Sequence, residues 1–282
     1  MSELNKLHEV FLSVVAGRRE TAGGGEPNLL PDLLHAWQAK TVGQRSTRIV
    51  SRLQACQQRR AMLFCLQTPM LGLRAVWWPQ GRVHGQFVCV LSSRIGRNLS
   101  TKSLWLFGLR QVVTGLEPRR QILLTAPRTT CHPFVSQLAQ DGIQPLVMVD
   151  SFAGKTVSWL DRCFVRSKSS QWAMRAIVSP PLAKKPVSPI GPNLDACLLS
   201  LASTVFVLGL RSQGRLIRLL SWRISLPDPP AVRLVTSTGE LDRRLSTRLV
   251  GQGATLCRHT DIQSIDRDRS VLIGGRRCKT QR

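Results

Sequence analysis

The chain has 282 residues, and 43% of them are hydrophobic, which is enough apolar material for a folded core and excludes a wholly disordered protein. Its 40 Lys and Arg residues stand against 16 Asp and Glu, so the net charge is +24 and the isoelectric point is near 11.5. The longest uncharged stretch, 196–210, has only 15 residues and is too short to span a bilayer. Because residues 1–20 also lack the pattern of a signal peptide, we expect a cytoplasmic protein without membrane contacts.

Residues 1–60 predict helices interrupted near three consecutive glycines, which together form a basic helical N-terminal extension. The segment 45–60 has the pattern of an amphipathic helix whose arginines are candidates for nucleic-acid contact: Arg45, Arg48, Arg52 and Arg59. No acidic residue occurs between residues 33 and 116, a span that also contains Arg74. Contact with a polyanion and an arginine-rich genomic composition both explain this bias, and the sequence leaves the two open.

From residue 61 onward, short β-type runs alternate with helical patterns. We expect strands at 61–66, 86–91, 121–125, 144–149, 204–210 and 231–236. Helices are expected between them at 101–114, 133–140, 193–202, 215–225 and 241–250. This alternation is typical of βαβ crossovers, so the predicted fold is a Rossmann-like α/β domain with a mostly parallel sheet and helices on both faces.

The domain pattern has one interruption. Residues 61–260 form the predicted α/β domain, with an irregular excursion at 151–192 that includes a proline-rich stretch. Residues 261–282 are expected to form a polar basic tail. The neighbouring tryptophans Trp77 and Trp78 are read mainly as packing residues, with base stacking as the alternative.

The eight cysteines and five histidines show no spacing typical of a metal site. Most cysteines lie inside apolar runs and are expected to be reduced, buried side chains. Cys131 and His132 are adjacent at a predicted helix start, but adjacent residues rarely form a catalytic pair. We therefore expect no metal, no cofactor and no catalytic residues, and an enzyme is the less favoured class.

Four predicted loops follow strands at the edge where parallel sheets usually bind ligands. They supply hydroxyl groups, glycine and, in three cases, arginine next to helix starts, where backbone N–H groups favour an anion. The fourth loop is 236–239. The first three supply the candidate ligand-binding residues Ser92, Ser93, Arg94, Arg128, Thr129, Thr130, Arg211, Ser212, Gln213, Gly214 and Arg215.

The order of these features resembles the SLOG superfamily of Rossmann-like proteins, which includes DNA-processing protein A and lysine-decarboxylase-like nucleotide-binding proteins. The resemblance covers residues 86–257. It lies in Ser92-Ser93-Arg94 after a strand, in the strand at 205–210 followed by Ser212-Gln213-Gly214, and in the run 249–254. The second glycine-rich loop of the family is replaced by TAPRTTCHP, and the phosphoribohydrolase motif is absent, so the resemblance implies binding more than hydrolysis.

The sequence therefore predicts binding of a phosphate-bearing ligand, a nucleotide or nucleotide derivative, at the carboxyl edge of the sheet. One alternative is a single-stranded DNA or RNA binding protein that uses the basic region. A further alternative is a hydrolase or transferase that processes nucleotides.

Overall fold

Helices and strands alternate along most of the chain. The computed structural model describes residues 2–19, 28–41, 47–68, 70–78, 86–93, 103–142, 144–152, 154–165, 175–182 and 194–258. Its helices are α1 (Glu3–Arg19), α2 (Leu30–Lys40), α3 (Thr47–Gln58), α4 (Leu104–Thr114), α5 (His132–Gly142), α6 (Thr156–Leu160), α7 (Leu194–Leu201), α8 (Arg215–Ile224) and α9 (Arg243–Gly251). Its strands are β1 (Met62–Thr68), β2 (Gly72–Trp78), β3 (Gln86–Ser92), β4 (Gln121–Thr125), β5 (Leu146–Ser151), β6 (Arg175–Val178), β7 (Thr204–Leu210), β8 (Ala231–Val235), β9 (Glu240–Leu241) and β10 (Thr255–Cys257).

The chain divides into two units, and each is built from separate stretches of sequence. The first unit comprises Met1–Gly85, Leu124–Thr129 and Leu146–Leu201. The second unit comprises Gln86–Leu123, Thr130–Pro145 and Ala202–Arg282.

In the first unit, α1, α2 and α3 share one hydrophobic core with β1, β2, β6 and α6. The strands lie in the order β1-β2-β6-β5; β2 is antiparallel to both neighbours, and β5 is parallel to β6. Phe11 packs on the buried Trp159 at 5.7 Å between ring centroids, and Trp77 meets Phe164 edge-on at 4.9 Å. Trp77 and Trp78 are both buried, so they pack in the interior and present no surface for base stacking.

In the second unit, the strands lie in the order β3-β7-β8-β10, and β9 pairs with the end of β7. The pairings described here are all parallel. β7 is buried along its whole length, as its apolar sequence TVFVLGL requires. The Rossmann-like α/β class and the mostly parallel sheet predicted from the sequence are confirmed.

The described cysteines behave as apolar side chains. Seven are free thiols, and five of these are buried. Burial raises the pKa of the Cys197 thiol to about 11, although the nearby Arg74 lowers it in part. Among the described helices, none is both long and apolar enough to cross a membrane.

Candidate functional site

The strands β3 and β7 are neighbours, and their carboxyl ends bring two of the predicted loops together. Their register runs from Val88 opposite Thr204 to Leu91 opposite Val207, and then shifts so that Ser92 lies opposite Gly209. Such a bulge changes the direction of a strand end and often lies beside a functional site.

Ser92 holds the end of β3 in place. Its hydroxyl donates to the Ser93 carbonyl at 3.0 Å and accepts a hydrogen bond from Nε1 of the buried Trp105 in α4 at 3.1 Å. A Cβ atom at Gly209 would lie 2.7 Å from this hydroxyl, so the contact requires glycine. Sequence reasoning missed Trp105 and Gly209; a glycine inside a buried strand is the one signal that could have indicated the close approach.

Ser93 connects the two strand ends. It is 9% exposed, and its hydroxyl oxygen accepts a hydrogen bond from the Arg211 backbone N–H at 3.2 Å. The Ser93 N–H in turn donates to the Gly209 carbonyl at 2.9 Å. Ser93 therefore positions the turn after β7.

The turn runs from Arg211 to Gly214 and is closed by a 3.0 Å hydrogen bond from the Gly214 N–H to the Arg211 carbonyl. The backbone angles of Gly214, φ −71° and ψ 141°, suit any residue. Glycine is favoured here because neighbouring atoms approach its Cα closely. A Cβ atom there would lie 3.0 Å from the Arg211 carbonyl oxygen and 3.1 Å from the Ser93 hydroxyl.

Gly214 is also the N-cap of α8, and it has no side chain that could accept a hydrogen bond from the first turn of that helix. The other N-caps described in this unit for helices of similar length, Ser103 on α4 and Asp242 on α9, accept a hydrogen bond with their side chains. The N-cap of α8 therefore supplies no side-chain acceptor, and the dipole of a helix start favours an anion.

Around this turn, Arg211, Ser212, Gln213, Arg215 and Arg218 are all exposed. Within the described residues, Arg211 and Arg218 form no ion pair. The apolar residues of α8 are buried on its opposite face, including Leu216, Leu219 and Leu220, and this arrangement keeps the arginines at the surface. The described sequence-predicted residues of the first and third loops, after β3 and β7, thus form a basic, hydroxyl-bearing turn.

The remaining candidates from the sequence are Arg94, Arg128, Thr129 and Thr130. Arg94 falls outside the described residues. Arg128 and Thr129 belong to the first unit, and Thr130 belongs to the second. Arg128 is exposed in the left-handed region at φ 69°, and the Thr129 hydroxyl donates to the Ala126 carbonyl at 2.7 Å.

The basic helix predicted at 45–60 corresponds to α3 of the first unit. Arg48 is exposed on α3 and Arg59 is exposed just after its last residue, whereas Arg45 falls outside the described residues. Arg52 is half-buried, and its guanidinium donates to the Phe164 carbonyl at 3.5 Å. Arg52 therefore contributes to packing within the unit, and the exposed candidate arginines described here are Arg48 on α3 and Arg59 just after it.

These observations define the class of protein: a Rossmann-like α/β protein with a basic, uncapped helix start at the carboxyl ends of two parallel strands. Within the described residues, no three His, Cys, Asp or Glu side chains gather as metal ligands. No protein-family model and no curated protein matches the chain.

Solved structures with a similar fold include DNA processing protein A from Streptococcus pneumoniae, at 11% identity and a TM-score of 0.44, covering 90% of this chain and 92% of that chain. The molybdenum cofactor carrier protein of Chlamydomonas reinhardtii is similar at 8% identity and a TM-score of 0.41, covering 67% of this chain and 99% of that one. The SLOG superfamily, which the sequence resembles, includes DNA processing protein A. At these TM-scores the likeness carries no functional argument.

Proposed function

We propose that the second unit binds a phosphate-bearing ligand, a nucleotide or nucleotide derivative, at the turn Arg211–Gly214 and the first turn of α8. The observation that carries this proposal is the start of α8, where the N-cap residue Gly214 has no capping side chain and the arginines of the adjoining turn and helix are exposed. Phosphate oxygens accept hydrogen bonds from such N–H groups and from guanidinium groups, and both types of bond strengthen with the negative charge.

Each residue of the turn has a separate role in this proposal. Ser93 holds the Arg211 backbone, and Gly214 lets the chain pass close to the Ser93 hydroxyl. Ser212 donates a hydrogen bond from an exposed hydroxyl, and Arg211 supplies charge. Arg94 remains a predicted contact from the neighbouring loop.

Nucleic-acid binding through α3 is the second candidate. It is favoured by the exposure of Arg48 on α3, a helix without acidic residues, and of Arg59 just after that helix. It ranks lower because Arg52, which the sequence assigned to the same surface, donates to a protein carbonyl. For a catalytic role as a nucleotide hydrolase or transferase, the part of the chain that the structure describes offers no comparable cluster of groups.

The proposal is tested by calorimetric titration with AMP and ADP, each compared with adenosine. Arg211→Gln removes one charge-assisted contact and should weaken nucleotide binding about 10- to 150-fold, since such a bond contributes about 1.5–3 kcal/mol. Arg248→Gln is the matched control, because Arg248 is an exposed arginine on α9 of the same unit. Gly214→Val and Arg94→Ala should weaken binding in the same way as Arg211→Gln.

Two results would contradict the proposal. One is equal binding of adenosine and AMP, which would show that the phosphate contributes nothing. The other is an equal loss in Arg211→Gln and Arg248→Gln, which would show that only the overall positive charge matters.

A further inference from the structure

A pocket of about 340 Å³ lies in the second unit between one face of α9 and the segments that follow β8. Arg243, Thr247 and Val250 line it from the helix, at positions i, i+4 and i+7, which share one face. Thr236, Leu241 and Leu256 line the other side. Of these residues, the sequence had placed only Thr236 in a candidate ligand loop.

The walls of this pocket are mainly apolar. Val250 is 40% exposed and Leu256 is 57% exposed, which makes them two of the few large hydrophobic side chains that the described surface presents to solvent. Single exposed apolar residues are common, but here two of them face one concavity together with Leu241. A ligand with an apolar body would remove all three from water.

Arg243 provides the charged group at the edge of this pocket. Its side chain is exposed and forms no ion pair within the described residues. The start of α9 is already capped, since the Asp242 carboxylate accepts a hydrogen bond from the Leu245 N–H at 3.1 Å. The guanidinium group, rather than the helix terminus, is therefore the group that would receive an anion here.

Two acidic residues flank Leu241, and neither lines the pocket. The Asp242 carboxylate is engaged in capping α9. Glu240 precedes Leu241 in β9, and successive side chains of a strand point to opposite faces. The charge that the pocket presents is therefore positive.

We propose that this pocket binds a small organic carboxylate, with its carboxylate on Arg243 and its apolar body against Leu241, Val250 and Leu256. The volume lies at the low end of the range of about 300–1,000 Å³ typical of small-molecule sites, so it suits a molecule of one or two rings. This proposal is independent of the phosphate site, because none of the residues Arg211–Arg215 lines the pocket.

The test uses 2-naphthylacetate and its neutral amide as probes, titrated by calorimetry against the full chain. The acid should bind about tenfold or more tightly than the amide, because only the acid forms a charge-assisted bond with a guanidinium group. Arg243→Gln should bring the acid-to-amide ratio of affinities close to one. Arg244→Gln, an exposed neighbour outside the lining, has the same net charge and should keep the wild-type ratio.

A second pair of variants tests the location of the apolar body. Thr247→Trp should fill the pocket and weaken binding of both probes at least tenfold, whereas Arg248→Trp adds the same ring outside the lining and should leave both affinities unchanged. AMP binding should be unchanged in Thr247→Trp, so the two proposals can fail separately. An unchanged ratio in Arg243→Gln, equal affinities in the two Trp variants, or one probe bound per two chains would overturn the pocket assignment.

Discussion

At the scale of single residues, the arginines have different roles that composition does not distinguish. Arg74 and Arg48 both lie in the acid-free span, yet Arg74 is 2% exposed and Arg48 is exposed. The Arg74 guanidinium donates to the Leu71 carbonyl at 2.9 Å and to the Ser179 carbonyl at 3.0 Å, and burial lowers its pKa. Arg74 is therefore a structural residue of the first unit and is unavailable to a polyanion.

The pair Arg74→Ala and Arg48→Ala tests this difference. Arg74→Ala leaves two buried carbonyl groups without donors and opens a cavity, so we expect the free energy of unfolding to fall by about 3 kcal/mol or more. Arg48→Ala should change it by less than about 0.5 kcal/mol, as is usual for an exposed side chain. Urea denaturation followed by circular dichroism measures both values, and equal values would contradict the structural role of Arg74.

At the scale of elements, the strong strand patterns were predicted well and the weak ones were missed. The sequence predicted β3, β4, β7 and β8 within about one residue of their bounds, because each is a run of mainly apolar residues. It missed β2, an apolar run that follows β1 after a short turn. It also missed β6, β9 and β10, which have only two to four residues and depend on a neighbouring strand for their pairing.

The packing of α4 against the turn after β8 can be tested by substitution. A Cβ atom at Gly108 would lie 2.8 Å from Cγ2 of Thr238. Thr238 is buried, and its hydroxyl donates to the Leu208 carbonyl at 2.7 Å, so it cannot move aside easily. Gly108→Ala should therefore lower the free energy of unfolding by about 1–3 kcal/mol despite the better helix propensity of alanine.

Gly251→Ala is the matched control for that variant. Gly251 is also a helical glycine in the second unit, and no atom lies within 4 Å of a Cβ atom placed there. The substitution should raise the free energy of unfolding by up to about 1 kcal/mol. If the free energy of unfolding changed in the same direction in both variants, the tight contact between Gly108 and Thr238 would be refuted.

At the scale of the whole molecule, the net charge of +24 predicts association with anions of many kinds. Charge alone does not locate a binding surface, because Lys and Arg are spread over both units. A local contact can be distinguished from this general attraction because it depends on particular residues.

The nucleic-acid alternative predicts a steep salt dependence. Affinity for a single-stranded oligonucleotide should fall about tenfold or more between low and physiological ionic strength, since each neutralised phosphate releases counterions. If α3 makes the contact, Arg48→Gln with Arg59→Gln should reduce the slope of log affinity against log salt by about 1.4, or about 0.7 for each lost phosphate contact. Fluorescence anisotropy measures the slope.

Arg244→Gln with Arg248→Gln is the control for this measurement, because both arginines are exposed on α9 and the change in net charge is identical. Equal slopes in the two double variants would assign the binding to general charge. Binding that does not respond to salt would leave an arginine-rich composition as the explanation for the basic span.

The sequence by itself determined the α/β class, the central strands and the turn after β7, because apolar runs, glycines and helix starts are local signals. The turn residues Ser93, Arg211 and Gly214 were also predicted together, since the carboxyl ends of neighbouring parallel strands meet. Only the tertiary structure decided that Ser92 and Ser93 hold the backbone, that Arg74 is buried, and that α9 borders a pocket. Those properties depend on contacts between residues that are far apart in the chain. A local sequence pattern does not show which side chains such contacts bury.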